Sequence, residues 1–348
     1  MLGIIVSLIL TFGAGAILAG VGVADALMQP ARTYLQIVGG FCILNALIPI
    51  CSSYLRAFGF SKEPLYASII GNVINFCLNA FFLFVLHKGV AGVATATVIS
   101  RIINLVIVVL LGAVLVKAKQ HPERESNREV MGQIIRIGLP SACETAIYNV
   151  SMTLVIRFLN QMDAQGLNVT ARSYTMQITN FSYCVGAALA QANAIMTGWH
   201  IGAKEYDACD RGTKKAAVIG VIVAVILETV FTLCSGWIMQ LFSKDPQMVS
   251  LVGKLLAIDI VLEMGRVTNL VYGQALKTSG DAVFPVVMGA CFMILCSVGG
   301  TYLFGIRLGL LAVGAYIGMT GDECVRAVGM YLRWKSGKWK EKGLVKSR

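Results

Sequence analysis

Apolar runs long enough to cross the hydrocarbon of a bilayer, which takes roughly 18–20 residues, recur along most of this chain, and its charges collect in the short stretches between them. About a quarter of the residues in a soluble domain are charged. Here charged residues are 14% and hydrophobic ones 57%, too few charges to coat a surface facing water. Lipid offers no partners to backbone amides and carbonyls, so each span must satisfy its own, and the two-residue alternation of barrel strands is missing. The expected fold is all-α, a polytopic membrane protein.

Spans are read at about 1–21, 34–56, 64–86, 91–116, 132–160, 168–199, 214–241, 250–276, 283–305 and 308–332. The first has no basic start and no clear cleavage site, so it reads as a span and not as a signal peptide. Basic residues cluster in one linker (Lys117, Lys119, Arg124, Arg128), in a second (Lys204, Arg211, Lys214, Lys215) and in the tail (Arg333, Lys335, Lys338, Lys340, Lys342). Counting spans puts all three on one side with Arg56, Lys62 and Lys277, against only Arg32, Lys88, Lys244 and Arg307 on the other. By the positive-inside rule the rich side is cytoplasmic. Both termini are then expected in the cytoplasm of a cell-membrane protein, and the net charge of +11 reflects orientation, with no nucleic acid as partner. The expected organisation is a four-span lobe at 1–116, a basic linker at 117–131, a six-span lobe at 132–332 and a basic tail at 333–348.

No cofactor or metal centre is expected from the cysteines and histidines. Seven of the ten cysteines (Cys42, Cys77, Cys143, Cys184, Cys234, Cys291 and Cys296) lie inside apolar runs, and there is no C-x-x-C pair. His87, His121 and His200 are far apart.

An internal repeat is the most informative pattern. LRAFGFSKEPLYASIIGNVINFCLNAFFLF at 55–84 is similar to LKTSGDAVFPVVMGACFMILCSVGGTYLF at 276–304. Arg56 aligns with Lys277, Gly59 with Gly280 and Pro64 with Pro285, each pair 221 residues apart. Both units continue through a glycine-containing turn into another span, GVAGVATATVISR at 89–101 and GLLAVGAYIGMTGDECVR at 309–326. Parallel duplicated halves around a shared cavity suit alternating access. Two spans precede the second repeat unit that have no counterpart before the first.

In this order and spacing, YLRAFGF (54–60), GNVINFCLN (71–79), GVAGVATATVISR (89–101), IGLPSACE (137–144), ARSYTMQI (171–178), EMGRVTNLV (263–271), ALKTSGD (275–281) and DECVRAVGMYLRWKSGKW (322–339) resemble the multidrug and toxic compound extrusion (MATE) transporters. The resemblance implies two pseudo-symmetric six-helix bundles, with about four and six spans in this chain, flanking an efflux cavity, and antiport of small molecules against sodium or protons. It also implies that this chain starts at the third of twelve spans, without the helix on which relatives often place an essential carboxylate.

Charged groups inside spans face partners, water or substrate. Asp259, Glu263 and Arg266 share one helical face, with Asn269 at its edge. They read either as a site for an exchanged cation or as a structural ion pair. Relatives often carry the cation-site acid on this helix; the nearest match here is Arg266, which shifts that role to Glu263. Glu144 lies one turn beyond Pro140, which can free carbonyls for a cation. Tyr148 stands where several relatives have glutamate. A sodium ion at Glu144 and Glu263 is one reading. Arg172, Tyr174, Gln177 and Asn180 add polar groups to the next span, and Arg172 is a candidate partner for Glu144. Asn72, Asn75 and Asn79 share a face that either lines the cavity or bonds neighbouring helices, the latter favoured. Some relatives have aspartate at the place of Asn79, and an amide does not titrate. Asp322, Glu323 and Arg326 are expected to pair and lock helices, Arg101 being at the related place in the first half; Glu228 has no obvious partner.

The leading function is a secondary antiporter exporting organic cations, drugs or other amphipathic compounds. A flippase for lipid-linked precursors and a non-transporting remnant are the alternatives. No P-loop is present, and GMTGD at 318–322 misses the G-x-G-D pattern of intramembrane proteases, so neither an ATP-driven pump nor an enzyme is expected.

Overall fold

The structure is a computed structural model that describes residues 2–21, 25–117, 127–162 and 166–342. Lys119, His121 and Arg124 of the linker and the end of the tail lie outside the described residues. The chain divides into two compact units, 1–124 and 125–348. Among the described residues every regular element is helical. The first unit contains α1 (Leu2–Phe12), α2 (Ala14–Val21), α3 (Asp25–Gly40), α4 (Leu44–Ala57), α5 (Lys62–Ala80) and α6 (Gly89–Lys117). The second contains α7 (Asn127–Met162), α8 (Leu167–Gly202), α9 (Tyr206–Leu233), the short α10 (Ser235–Met239), α11 (Pro246–Thr278), α12 (Val283–Phe292) and α13 (Leu311–Lys335). Wider π-helical turns follow α5 at Phe81–Val85 and α12 at Met293–Val298 and Thr301–Arg307.

Among the described residues five stretches are apolar and long enough to cross a membrane: Met28–Ala57, Lys62–Val85, Gly89–Val116, Tyr206–Leu233 and Val283–Arg307. Large apolar side chains stand outward on them, Phe76 being 75% and Phe84 76% exposed, a surface that needs lipid around it. The other long helices, α7, α8, α11 and α13, carry the charged and polar residues described below.

Several boundaries differ from the hydropathy reading. The span placed at 34–56 begins as α3 at Asp25 and is interrupted between Gly40 and Leu44, and the one placed at 214–241 begins at Tyr206 and closes at Leu233. Polar residues at a helix end depress hydropathy without ending the helix. In α9 the Asp210–Lys214 ion pair, 2.6 Å and one turn apart, supports the polar first turns.

The duplication is visible in the backbone. Gly59 and Gly280 close α4 and α11 with φ of 89° and 92°, a left-handed conformation that only glycine adopts without strain. The capping bonds also correspond: Phe60 N–H donates to Leu55 O at 3.0 Å, and Asp281 N–H to Leu276 O at 2.9 Å. Further on, the spacing becomes 222 residues. Leu86 N–H reaches Phe81 O as Leu308 N–H reaches Leu303 O, and Asn75 bonds Ser100 (3.2 Å) as Ser297 bonds Asp322 (2.9 Å). The π-helical turn at Met293–Val298 has no partner in the first unit. It is where the second unit takes up its extra residue, since a π-turn inserts a residue without breaking the helix.

Beyond α13 the chain turns back. Trp339 stacks on Trp334 with ring centroids 4.1 Å apart and donates its indole N–H to Trp334 O. In the α11–α12 turn, the buried Asp281 carboxylate accepts from Arg333 Nε (2.7 Å) and Lys342 Nζ (2.6 Å). Burial alone would push the Asp281 carboxyl upward, but these two cations hold it below its ordinary range.

Candidate functional site

α11 is the central rod of the second unit, packed on α8, α9 and α13. Gly265 sets its approach to α13: a β-carbon there would lie 2.9 Å from the Cys324 nitrogen. This close contact brings the charges of the two helices into one chain. Glu263 Oε2 pairs with Arg266 Nη1 at 2.7 Å, and Arg266 Nε faces Glu323 Oε1 at 3.7 Å. Glu323 Oε1 pairs with Arg326 Nη2 at 2.9 Å, and Arg326 Nε with Asp322 Oδ1 at 2.8 Å. Asn269 donates to Glu323 Oε2 (3.0 Å) and Ser297 to Asp322 Oδ2 (2.9 Å). Alternating signs make a buried charged network tolerable, and of its carboxylate oxygens Glu263 Oε1 alone is buried without a hydrogen-bond partner among the described residues.

This network forms one wall of a cavity of about 390 Å³ within the second unit. Across it, α7 contributes Glu144, Tyr148 and Asn149, and the end of α11 contributes Lys277, whose Nζ lies 2.6 Å from Glu144 Oε2. Apolar surface comes from Leu270, Met293 and Met330. A second cavity of about 210 Å³ is lined by Arg172, Asn180, Asp259 and Tyr316, and shares Tyr148, Tyr183 and Arg266 with the first. The Arg266 guanidinium lies over the Tyr183 ring, 5.9 Å from its centroid, so one arginine borders both spaces.

The expected residues therefore separate. Glu144, Tyr148, Arg266 and Asn269 line the larger cavity, and Glu263 is wholly buried behind Arg266. Arg172, Asn180 and Asp259 line the smaller one, with Tyr148 and Arg266 again. Gln177 is exposed and lines neither. The candidate pairing of Arg172 with Glu144 is corrected: Arg172 Nη2 contacts Met152 Sδ at 3.6 Å, and Glu144 is held by Lys277. The two side chains line different cavities. Asp259 shares the face of Glu263 but makes no ion pair with Arg266, and its Oδ2 has no hydrogen-bond partner. In the first unit Asn75 bonds Ser100 and accepts from Asn79 at 3.0 Å, whereas Asn72 is exposed. Asn75 thus bonds α5 to α6, as its counterpart Ser297 bonds α13, whereas Asn79 and its counterpart Thr301 bond one turn back along their own helices.

Sequence reasoning missed Lys277 as a site residue, although the repeat had marked its position, and it missed Tyr183, Asn149 and Gln274. Glu323 and Arg326 were expected only to lock helices; they also face the cavity. Among the described residues no group of three or more His, Cys, Asp or Glu is placed to hold a metal ion.

Outward-facing apolar helices and a duplicated helix–turn–helix unit define a polytopic helical membrane protein. The family profile described as MatE matches residues 1–81 and 140–303, and the chain belongs to that family. It is 34% identical over 346 residues to "Uncharacterized transporter YisQ" of Bacillus subtilis, covering 98% of this chain and 76% of that one. It is 22% identical to "Probable multidrug resistance protein NorM" of Thermotoga maritima, over 90% of this chain and 68% of the relative. In fold it is similar to a crystal structure of MATE in the straight conformation (TM-score 0.86, 19% identity, 98% of this chain and 77% of that one). It is also similar to a MOP superfamily transporter from Pyrococcus furiosus, described as having a binding pocket of reverse polarity (TM-score 0.84, 18% identity, 97% and 76%).

Proposed function

We propose that the chain is a secondary antiporter of the cell membrane, exporting organic cations or other amphipathic compounds in exchange for sodium or protons, with both termini cytoplasmic. The observation that carries this reading is the larger cavity, where Glu144 and Glu323 stand beside apolar and aromatic surface from Leu270, Met293, Met330, Tyr148 and Tyr183. An amphipathic cation needs such a surface: an acid for its charge and apolar side chains for its body. Relatives named as multidrug resistance or toxin extrusion proteins support the substrate class. Every base lining the cavity is itself paired with an acid (Arg266 with Glu263, Lys277 with Glu144, Arg326 with Glu323), which favours cationic substrates over the anionic head group of a lipid-linked precursor.

Antiport requires that ion and substrate compete for the same groups or bias opposite conformations. Glu144 and Glu263 are the carboxylates proposed to mediate this exchange. Glu144→Gln and Glu263→Gln, tested in everted vesicles with a fluorescent organic cation, are expected to abolish gradient-driven transport while the protein still inserts. Unchanged transport in both variants removes these residues from the mechanism.

A further inference from the structure

We propose that Glu144 is a subsite for the cationic head of a substrate, an ammonium or similar compact cation, and that Lys277 is a tethered cation occupying it in the conformation seen here. This rests on the antiporter reading above and adds to it the group that a substrate must displace. Three observations point the same way. The 2.6 Å separation of Lys277 Nζ and Glu144 Oε2 is that of a strong charge-assisted contact, and both side chains belong to the wall of the cavity, partly exposed at 18% and 17%. The main neighbours of α7 are α12 with its π-helical turns, α8 and α13. The pair therefore joins α7, at the cavity wall, to a helix that is not one of its main packing neighbours. On its other side Glu144 rests against Gly289, where an added β-carbon would lie 3.3 Å from Oε1. The glycine leaves room for the carboxylate, and the carboxylate is held with one oxygen toward Lys277.

A lysine on a flexible four-carbon stem is a suitable internal competitor, because its ammonium is a compact point charge that can withdraw. The fraction of time that the pair is open scales the apparent affinity of any external cation. A pair closed nine-tenths of the time weakens binding about tenfold. The same contact discriminates among substrates: neutral or anionic compounds gain nothing from displacing Lys277, whereas an amphipathic cation replaces one ammonium by another and keeps Glu144 paired. Lys277 thereby sets specificity as well as affinity.

The test is binding of a dansyl-labelled primary alkylamine, an apolar body with an ammonium head, to the purified full chain in detergent, followed by fluorescence anisotropy. Lys277→Gln is expected to bind about tenfold tighter than the wild type, and Lys277→Arg, which keeps the competitor, to bind like it. Lys277→Gln combined with Glu144→Gln should lose the gain, and Glu144→Gln alone should bind at least tenfold more weakly. Lys254→Gln, at an exposed position elsewhere on α11, controls for net charge and should change nothing. Equal or weaker binding by a folded Lys277→Gln protein overturns the proposal, as does binding that Glu144→Gln leaves intact. A Lys277→Gln protein that does not fold marks the pair as structural and overturns it too. Tighter binding without gradient-driven transport keeps the subsite and rejects the antiporter reading, so the two fail separately.

Discussion

Replacing Arg326 by leucine removes the cation paired with Asp322 and the nearer of the two that face Glu323. Arg326 is 4% exposed, Asp322 2% and Glu323 8%, and the guanidinium contacts both carboxylates between 2.8 and 3.0 Å. Breaking a buried pair by removing one partner costs about 3–5 kcal/mol, because the remaining charge keeps its desolvation penalty and loses its compensation. For a unit of roughly 150–250 residues each kcal/mol moves the midpoint by about 2–4 °C, so Arg326→Leu should lower the Tm by about 6–20 °C. All four tryptophans, Trp199, Trp237, Trp334 and Trp339, lie in the second unit, so intrinsic fluorescence during heating in detergent reports on the half that is perturbed. Adding Asp322→Asn and Glu323→Gln to Arg326→Leu removes the stranded charges and should recover most of the loss. Arg326→Leu with an unchanged midpoint, or a triple variant less stable than the single one, would refute the view that these acids are charged and depend on Arg326.

Asp281→Asn should free the folded-back tail, read as faster tryptic cleavage at Lys338 and Lys340. The carboxyl is held low in the folded protein, so its stabilisation is present above the unfolded carboxylate value of about 3.9 and is lost as pH falls through the folded one. The Tm gap between wild type and Asp281→Asn should accordingly persist at neutral pH and close in strong acid; a gap independent of pH contradicts this. Glu228 is wholly buried on α9, and neither of its carboxyl oxygens makes a well-formed hydrogen bond, the Ser182 hydroxyl being a polar neighbour only. Replacing an unsatisfied buried polar group by an apolar one of similar size relieves about 1–3 kcal/mol, so Glu228→Met should raise the tryptophan-monitored Tm by several degrees. A fall would mean that Glu228 has a bound partner in solution. For orientation, a cysteine at Gln247 should react with an impermeant maleimide in intact cells and one at Lys338 should not; the reverse pattern inverts the topology.

The membrane-helical fold was legible because hydropathy and charge clustering are local properties. The repeat was legible through Arg56/Lys277, Gly59/Gly280 and Pro64/Pro285, where turn geometry dictates residue type. Its change of spacing was not, because a π-turn at Met293–Val298 requires no particular residue and leaves no composition signal. Helical periodicity placed Asp259, Glu263 and Arg266 on one face, yet only Glu263 reaches Arg266, since side-chain direction and the neighbouring α13 decide which groups meet. The partner of Glu144 was misassigned for the same reason. Lys277 is 133 residues away, and the choice between it and Arg172 depends on which cavity each helix faces. The role of Asp281 was not legible, because its two partners come from beyond the last span read from hydropathy.

The central claim is exchange of an organic cation against an ion, and reconstitution tests it most directly. Purified chain in liposomes, with ethidium on both sides and an imposed gradient of sodium or of protons, should accumulate ethidium against its own gradient under at least one of the two. Glu144→Gln should abolish the accumulation and leave the Tm of the reconstituted protein within a few degrees of wild type. Folded protein that moves no ethidium under either gradient would contradict the claim.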